Sequence, residues 1–256
     1  MRIVVKVGTS TLAYKTGNFN IRHVEALCKT LSDLKNEGHE IILVSSGAIA
    51  AGMGKLGLKH RPEDVPTKQA ASAVGQCELM YMYDKLFAEY NHTVAQILLA
   101  EIDVENEERK RNFKNTLFRL LELGVLPIIN ENDTVSTVEF GIGDNDTLAS
   151  IVAVNVQADL LILLSDIDGL YTANPNTNPD AKLIHRVEKI TPEIVEIAGG
   201  KGSELGTGGM STKIKAAEFA NGHGIDMVVA NGTEPQILYD IVDGGDIGTR
   251  FIAGRK

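Results

Sequence analysis

The sequence has no tryptophan, only seven prolines and only two cysteines, and no apolar run long enough to cross a bilayer. Each shortage removes a class of protein. Cys28 and Cys77 fall inside apparent helical segments with no CxxC spacing, so a disulfide scaffold and a thiolate metal site are both disfavoured. Buried free thiols in a reducing cytoplasm are expected instead. A membrane span needs roughly 20 consecutive apolar residues, and none is present. The N-terminus, MRIVVKVG, has a short apolar stretch without a small-residue cleavage site, so no secretory signal is expected. A formal net charge of -9 argues against a nucleic-acid partner, whose phosphates call for basic surface. The six histidines show no ligand spacing. No GxxxxGK(S/T) segment occurs, which disfavours a P-loop enzyme. Gly52–Gly57, GMGKLG, does match the dinucleotide fingerprint GxGxxG. However, it begins several residues beyond the nearest strand, and Pro62 stops a helix soon after it, so the match is set aside as chance.

What remains is ample for a core: 256 residues, 43% of them hydrophobic. Short β-branched runs alternate with helical patterns along the chain. The expected strands are 3–7, 40–44, 93–99, 125–129, 159–164 and 226–230, and their continuous apolar character fits strands covered on both faces. Expected helices begin after Asn20, a good N-cap, where Ile21, Val24, Leu27, Leu31 and Leu34 recur at helical spacing and Gly38 follows the end. Further helices are expected over 67–90, 104–123, 145–156, 192–198 and 209–221, with a hairpin strand at 135–140. Alternation on this scale predicts an α/β fold, a three-layer αβα sandwich around a mainly parallel sheet. The Asn- and Pro-rich stretch 173–180 reads as an exposed loop. It lies near a division into an N-terminal lobe (about 1–157) and a C-terminal lobe (about 158–256) within one domain.

Chemistry-bearing residues cluster where strands end. Lys6 closes the first strand in IVVKVGTS, and Lys213 closes GTGGMSTK before a helix. A lysine at the mouth of a parallel sheet faces the usual ligand crevice. Glycines, hydroxyls and a helix N-terminus form a ready anion site. Ser45–Gly52, SSGAIAAG, is open to two readings, an anion-binding nest or a tight turn packed with small side chains. INENDTV carries Asn130, Asn132 and Asp133. Here an ammonium-binding Asp133 and a carboxylate-orienting Asn130 or Asn132 stand beside a local Asx-turn. GDNDTLAS places Asp144, Asn145 and Asp146 at a helix start, more polar groups than capping alone requires. Ser165 and Asp166 follow another strand and fit either a nucleotide contact or a turn ended by Gly169. Two cations, glycine loops and acidic residues together point to phosphoryl transfer, which depends on neutralising and positioning charge.

Taken in order, KVGTS, SSGAIAAG, INENDTV, GDNDTLAS, LSDIDGLYTANP and GTGGMSTK resemble the blocks of the amino acid kinase family, and within it the members that phosphorylate the γ-carboxylate of glutamate. The blocks span residue 6 to beyond residue 213. The resemblance implies that the N-terminal lobe holds L-glutamate and the C-terminal lobe ATP. The transfer would give ADP and L-glutamyl 5-phosphate, the first step of proline synthesis. Lys6, Lys213 and Asp146 would be catalytic, with Asp146 orienting the lysines. Ser46, Asp133 and Asn145 would bind glutamate. Lys6, Ser165, Asp166, Thr207, Gly208, Gly209, Met210, Ser211, Thr212 and Lys213 would meet the nucleotide. Mg²⁺ would arrive on ATP without direct protein ligands. Proline as feedback inhibitor and a homo-oligomer, dimer or tetramer, are also implied. Many bacterial members carry a C-terminal RNA-binding-type domain, and none is expected here. Another acceptor within the family, or a non-catalytic metabolite sensor, remain the alternatives.

Overall fold

A computed structural model describes residues 1–14, 16–135, 145–175, 177–199 and 209–254. In chain order its elements are β1 (Arg2–Val7), α1 (Thr9–Leu12), α2 (Ile21–Asn36), β2 (Glu40–Ser45), α3 (Ala48–Leu56), α4 (Val65–Ala88), β3 (Val94–Leu99), α5 (Glu101–Glu105), α6 (Glu107–Glu122), β4 (Leu126–Glu131), α7 (Asn145–Asn155), β5 (Leu160–Ser165), β6 (Arg186–Val187), α8 (Pro192–Ala198), α9 (Met210–Gly222), β7 (Asp226–Asn231), α10 (Ile237–Val242) and β8 (Thr249–Phe251). The described strands form one sheet in the order β3-β4-β2-β1-β5-β7-β8-β6. Its ladders are parallel except for β7 against β8. The expected αβα class is therefore the observed one.

Period-2 alternation divides the core. Ile3, Val5 and Val7 of β1 face a cluster shared with α2, α4 and α10, while Val4 faces a second cluster shared with α6, α7, α8 and α9. Both faces of the central strands are thus dry, which explains their unbroken apolar runs. The alternation also puts Lys6 on the same side as Val4, toward α7 and α9.

The six expected strands are present with ends moved by one or two residues. The helix expected at 67–90 is α4, starting two residues earlier, because the Asp64 side chain accepts from the Thr67 N–H at 2.8 Å and Pro66 sits in the first turn. The α2 reading holds in detail. Asn20 accepts from the His23 N–H at 3.3 Å, and Gly38 takes φ +95 just past the end. The single helix expected over 104–123 is two. Asn106 adopts extended backbone, terminates α5 and caps α6, accepting from the Glu108 and Arg109 N–H groups at 3.1 and 3.0 Å. Three helices (α1, α3, α10) and two short strands (β6, β8) escaped the sequence reading: α1, α10 and the strands are too brief for periodicity, and α3, AIAAGMGKL, is built mostly of small residues that also suit a turn. Cys28 is buried as expected, but Cys77 is exposed on α4, which corrects that reading. Val135 lies in a turn, and 136–140, the rest of the expected hairpin strand, fall outside the described residues.

The discounted GMGKLG is part of α3 and its left-handed C-cap, Gly57. Its glycines serve packing. A Cβ on Gly75 of α4 would lie 1.7 Å from the Ala48 carbonyl oxygen, and one on Gly52 would lie 1.8 Å from that of Ala71. The two helices are therefore in backbone contact, which fixes α3 directly behind the carboxyl end of β2.

Candidate active site

The carboxyl ends of β1, β2, β4 and β5 lie side by side in the sheet, the usual place for a ligand in an α/β fold. Lys6, next to last in β1, meets the helix N-termini that cover its face. Its Nζ lies 2.7 Å from Asp146 Oδ1, and Lys213 Nζ lies 2.9 Å from Asp146 Oδ2. The Thr212 hydroxyl donates to the same Oδ2 at 3.1 Å. Asp146 is fully buried, and Lys6 and Lys213 are 8% and 4% exposed. Burial by itself would raise the Asp146 carboxyl, but the charges of Lys6 and Lys213 outweigh it and hold the group below the usual carboxylate range. Both ammonium groups are thus held by one buried carboxylate. Lys213 in the first turn of α9 opposes the helix dipole, and Asp146 in the first turn of α7 accords with it. The cluster is therefore held by charge and hydrogen bonds rather than by apolar packing.

Beside it runs a second polar chain. Asn145 precedes Asp146 and donates from Nδ2 to Ser46 Oγ at 2.7 Å and to Asn130 Oδ1 at 3.1 Å. Asn130 in turn donates to Gln76 Oε1 at 3.0 Å. Asn145 Oδ1 is buried without a hydrogen-bond partner among the described residues, an acceptor left for something else. Asp133 receives a 3.1 Å bond from the Ser72 hydroxyl. Burial raises the Asp133 carboxyl, with the Ser72 bond and the Arg61 charge acting against it. Ser46, Asn145 and Asp133 line one cavity of about 140 Å³ together with Thr9, Arg61 and Glu131. Gly47, which follows Ser46, takes φ +106, a conformation that favours glycine at this turn.

On the C-terminal half, Ser165 is buried at the end of β5 and donates to the exposed Asp166 at 3.2 Å. Asp166 lines a separate cavity of about 730 Å³ with Ser10, Thr11, Arg22, His23 and Thr233. Gly209, Met210, Ser211, Thr212 and Lys213 open α9, whereas Thr207 and Gly208 lie outside the described residues. The structure thus brings Lys6, Asp146, Lys213 and Thr212 into one cluster and Ser46, Asn145 and Asp133 into one cavity. Asp166 lines the second cavity and not the first. Asn132, a carboxylate-orienting candidate in the sequence, has its main-chain N–H on the Leu99 carbonyl at 2.8 Å, while Asn130 is the one hydrogen-bonded to Asn145.

The sequence reading pointed to Thr9 only as a hydroxyl of KVGTS and missed Arg61, Ser72 and Gln76. Ser72 and Gln76 sit four residues apart on α4, hence on one helix face, among apolar neighbours. Polar side chains at helical spacing inside such a helix were the available signal. Arg61 stands in a connection and carried none.

The model of the amino acid kinase family matches residues 1–231. Glutamate 5-kinase of Clostridium perfringens is 55% identical to this chain over 98% of it and 95% of that protein. Glutamate 5-kinase of Listeria monocytogenes is 51% identical over 100% of this chain and 94% of that protein. Among solved structures, isopentenyl phosphate kinase of T. acidophilum superposes with a TM-score of 0.67 at 17% identity, covering 98% of this chain and 100% of the other, a likeness of fold. From the match of fold, sequence blocks and near full-length relatives, the chain belongs to the amino acid kinase family.

Proposed function

We propose that this chain transfers the γ-phosphoryl group of ATP to the γ-carboxylate of L-glutamate, giving ADP and L-glutamyl 5-phosphate, the first step of proline synthesis. The observation that carries the reading is the buried Lys6–Asp146–Lys213 cluster beside a cavity lined by both acidic and amide groups. Kinship with glutamate 5-kinases at about half identity supports the acceptor.

The γ-carboxylate of glutamate, which ordinarily titrates near pH ~4.3, is already ionised at neutral pH, so no general base is required. The obstacle is the approach of one anion to another. Lys6 and Lys213 offset that repulsion and stabilise charge on the transferring group and the leaving ADP. Asp146 holds both ammonium groups in place before substrate arrives, so little reorganisation is needed during the reaction. Ser46, Asn145 and Asp133 bind glutamate, Asp133 through the ammonium group. Ser165, Asp166 and the start of α9 bind the nucleotide. Mg²⁺ enters as MgATP, held by phosphate oxygens whose charge it partly neutralises. In this reading the acceptor belongs to the lobe of about 1–157 and the nucleotide to that of about 158–256.

The test is ADP release from MgATP with L-glutamate varied and hydroxylamine present to trap the acyl phosphate. Glutamate-dependent turnover with γ-glutamyl hydroxamate is expected. Turnover only with another carboxylate or a nucleotide would overturn the acceptor, and binding without any turnover would favour a sensor.

Among the described residues no helix is long and apolar enough to cross a membrane. We place the protein in the cytoplasm on its two unpaired cysteines and the biosynthetic reaction. We also infer a homo-oligomer, with α4, which leaves Tyr81 68% exposed, at an interface between copies. A concentration-independent monomer mass in light scattering would refute this. Proline inhibition follows as a proposal from the pathway, tested by adding proline to the same assay.

A further inference from the structure

The acceptor cavity has two chemically different ends. Ser46 and Asn145 lie toward the lysine cluster, because Asn145 directly precedes Asp146, to which both lysines are bound. Asp133 and Arg61 lie toward α4: Asp133 is bonded to Ser72 on that helix, and Arg61 stands on the connection that enters it. Arg61 is the one cation among the described residues lining the cavity, whose ionisable lining otherwise consists of Glu131 and Asp133. Its charge acts on the Asp133 carboxyl. An acceptor that presents its side-chain carboxylate to the lysines turns a zwitterionic end toward this region. Asp133 suits an ammonium group and repels a carboxylate, so the second charge of that end needs a cation.

We propose that Arg61 binds the α-carboxylate of the acceptor and is a specificity-determining residue, selecting an α-amino acid with a free α-carboxylate. The inference rests on the reading of this cavity as the glutamate site. A guanidinium is suited to the task, since its planar fork offers two parallel N–H donors to a carboxylate. The arrangement is an opposed pair, Asp133 for the ammonium and Arg61 for the carboxylate, in which the Arg61 charge also acts on Asp133 when no substrate is bound.

The test compares wild type, Arg61→Met and Arg61→Lys in steady-state ADP release, with L-glutamate and with its α-amide as acceptors. Arg61→Met should raise the KM for glutamate about 10- to 100-fold, the loss of a charge-assisted pair, and affect kcat much less. Its preference for glutamate over the α-amide should shrink by a similar factor. Arg61→Lys should recover part of both, as a point charge without the fork. An Arg61→Met enzyme with unchanged KM and unchanged preference overturns the inference, as does an equal decline toward both acceptors, which marks a merely structural effect. Wild-type protein that releases no ADP with glutamate overturns the proposed function, and this inference with it, before any variant is compared.

Discussion

At the scale of single residues, a few side chains hold positions that packing alone would not select. Lys6 and Lys213 are buried cations held by one buried carboxylate, and in the proposed reaction they meet the transferring phosphoryl group. Lys213→Ala should therefore lower kcat by on the order of 10²–10³ while changing the KM for glutamate far less, since the interaction strengthens as charge develops in transfer. Near-normal kcat in a purified, folded Lys213→Ala protein would refute that role. Asp133→Ala should behave in the opposite way, raising the KM for glutamate with a smaller effect on kcat. The same initial-rate measurements decide it, and an unchanged KM would remove Asp133 from the substrate site. These residues were legible in the sequence because each sits in a short polar block at the end of an apolar strand. Ser72, Gln76 and Arg61 were not, because they come from α4 and its entry, and nothing local marks them as neighbours of Asn130 and Asp133.

At the scale of elements, the site depends on two helices that nearly merge. Gly75→Ala would drive a methyl group into the Ala48 carbonyl and force α3 away from α4. We expect destabilisation of about 3 kcal/mol, at the upper end of overpacking costs, seen as a lowered midpoint in urea unfolding. Activity should fall as well, because α3 follows directly on Ser46 and Gly47. Gly222→Ala is the contrast. Nothing lies within 4 Å of a Cβ there, at the end of α9, and its backbone is not in the left-handed region. That change should be neutral or stabilise by up to about 1 kcal/mol. Equal effects of the two substitutions would show that the backbone contact between α3 and α4 is not what holds them. Both glycines look alike in the sequence, since a glycine that permits close approach is distinguished only by what approaches it. Likewise, the break at Asn106 interrupts a helical pattern that is continuous in the sequence, and the cap geometry reveals it.

At the scale of the whole molecule, distant segments are tied by buried polar groups. His23 of α2 is 7% exposed, and its Nδ1 lies 3.3 Å from the carbonyl of Thr233, which follows β7. A carbonyl only accepts, so Nδ1 carries the proton, and the buried Nε2 has no hydrogen-bond partner among the described residues. Burial lowers the pKa of the ring from 6.5, with the Thr233 bond acting the other way. In the unfolded chain His23 takes up a proton near pH 6.5, whereas in the fold it does so only at lower pH. The neutral form thus contributes stability that is fully present above that pH and is lost as the pH falls toward the folded value. Urea unfolding of the wild type should show stability declining below about pH 6.5, and His23→Leu should flatten that slope. An identical slope in the variant would exclude His23 as its source.

The sequence by itself determined the αβα class, the six principal strands and the polar blocks at their carboxyl ends, because buried parallel strands and capped amphipathic helices are written in local periodicity. It also determined the family, through six ordered blocks. Tertiary structure decided which blocks meet. The Lys6–Asp146–Lys213 cluster joins residues 140 and 67 positions apart, and the cavity joins α1, α3, β4, α7 and the connection that enters α4. Such partnerships arise from strand order and from the face a side chain takes, which depend on all the elements together.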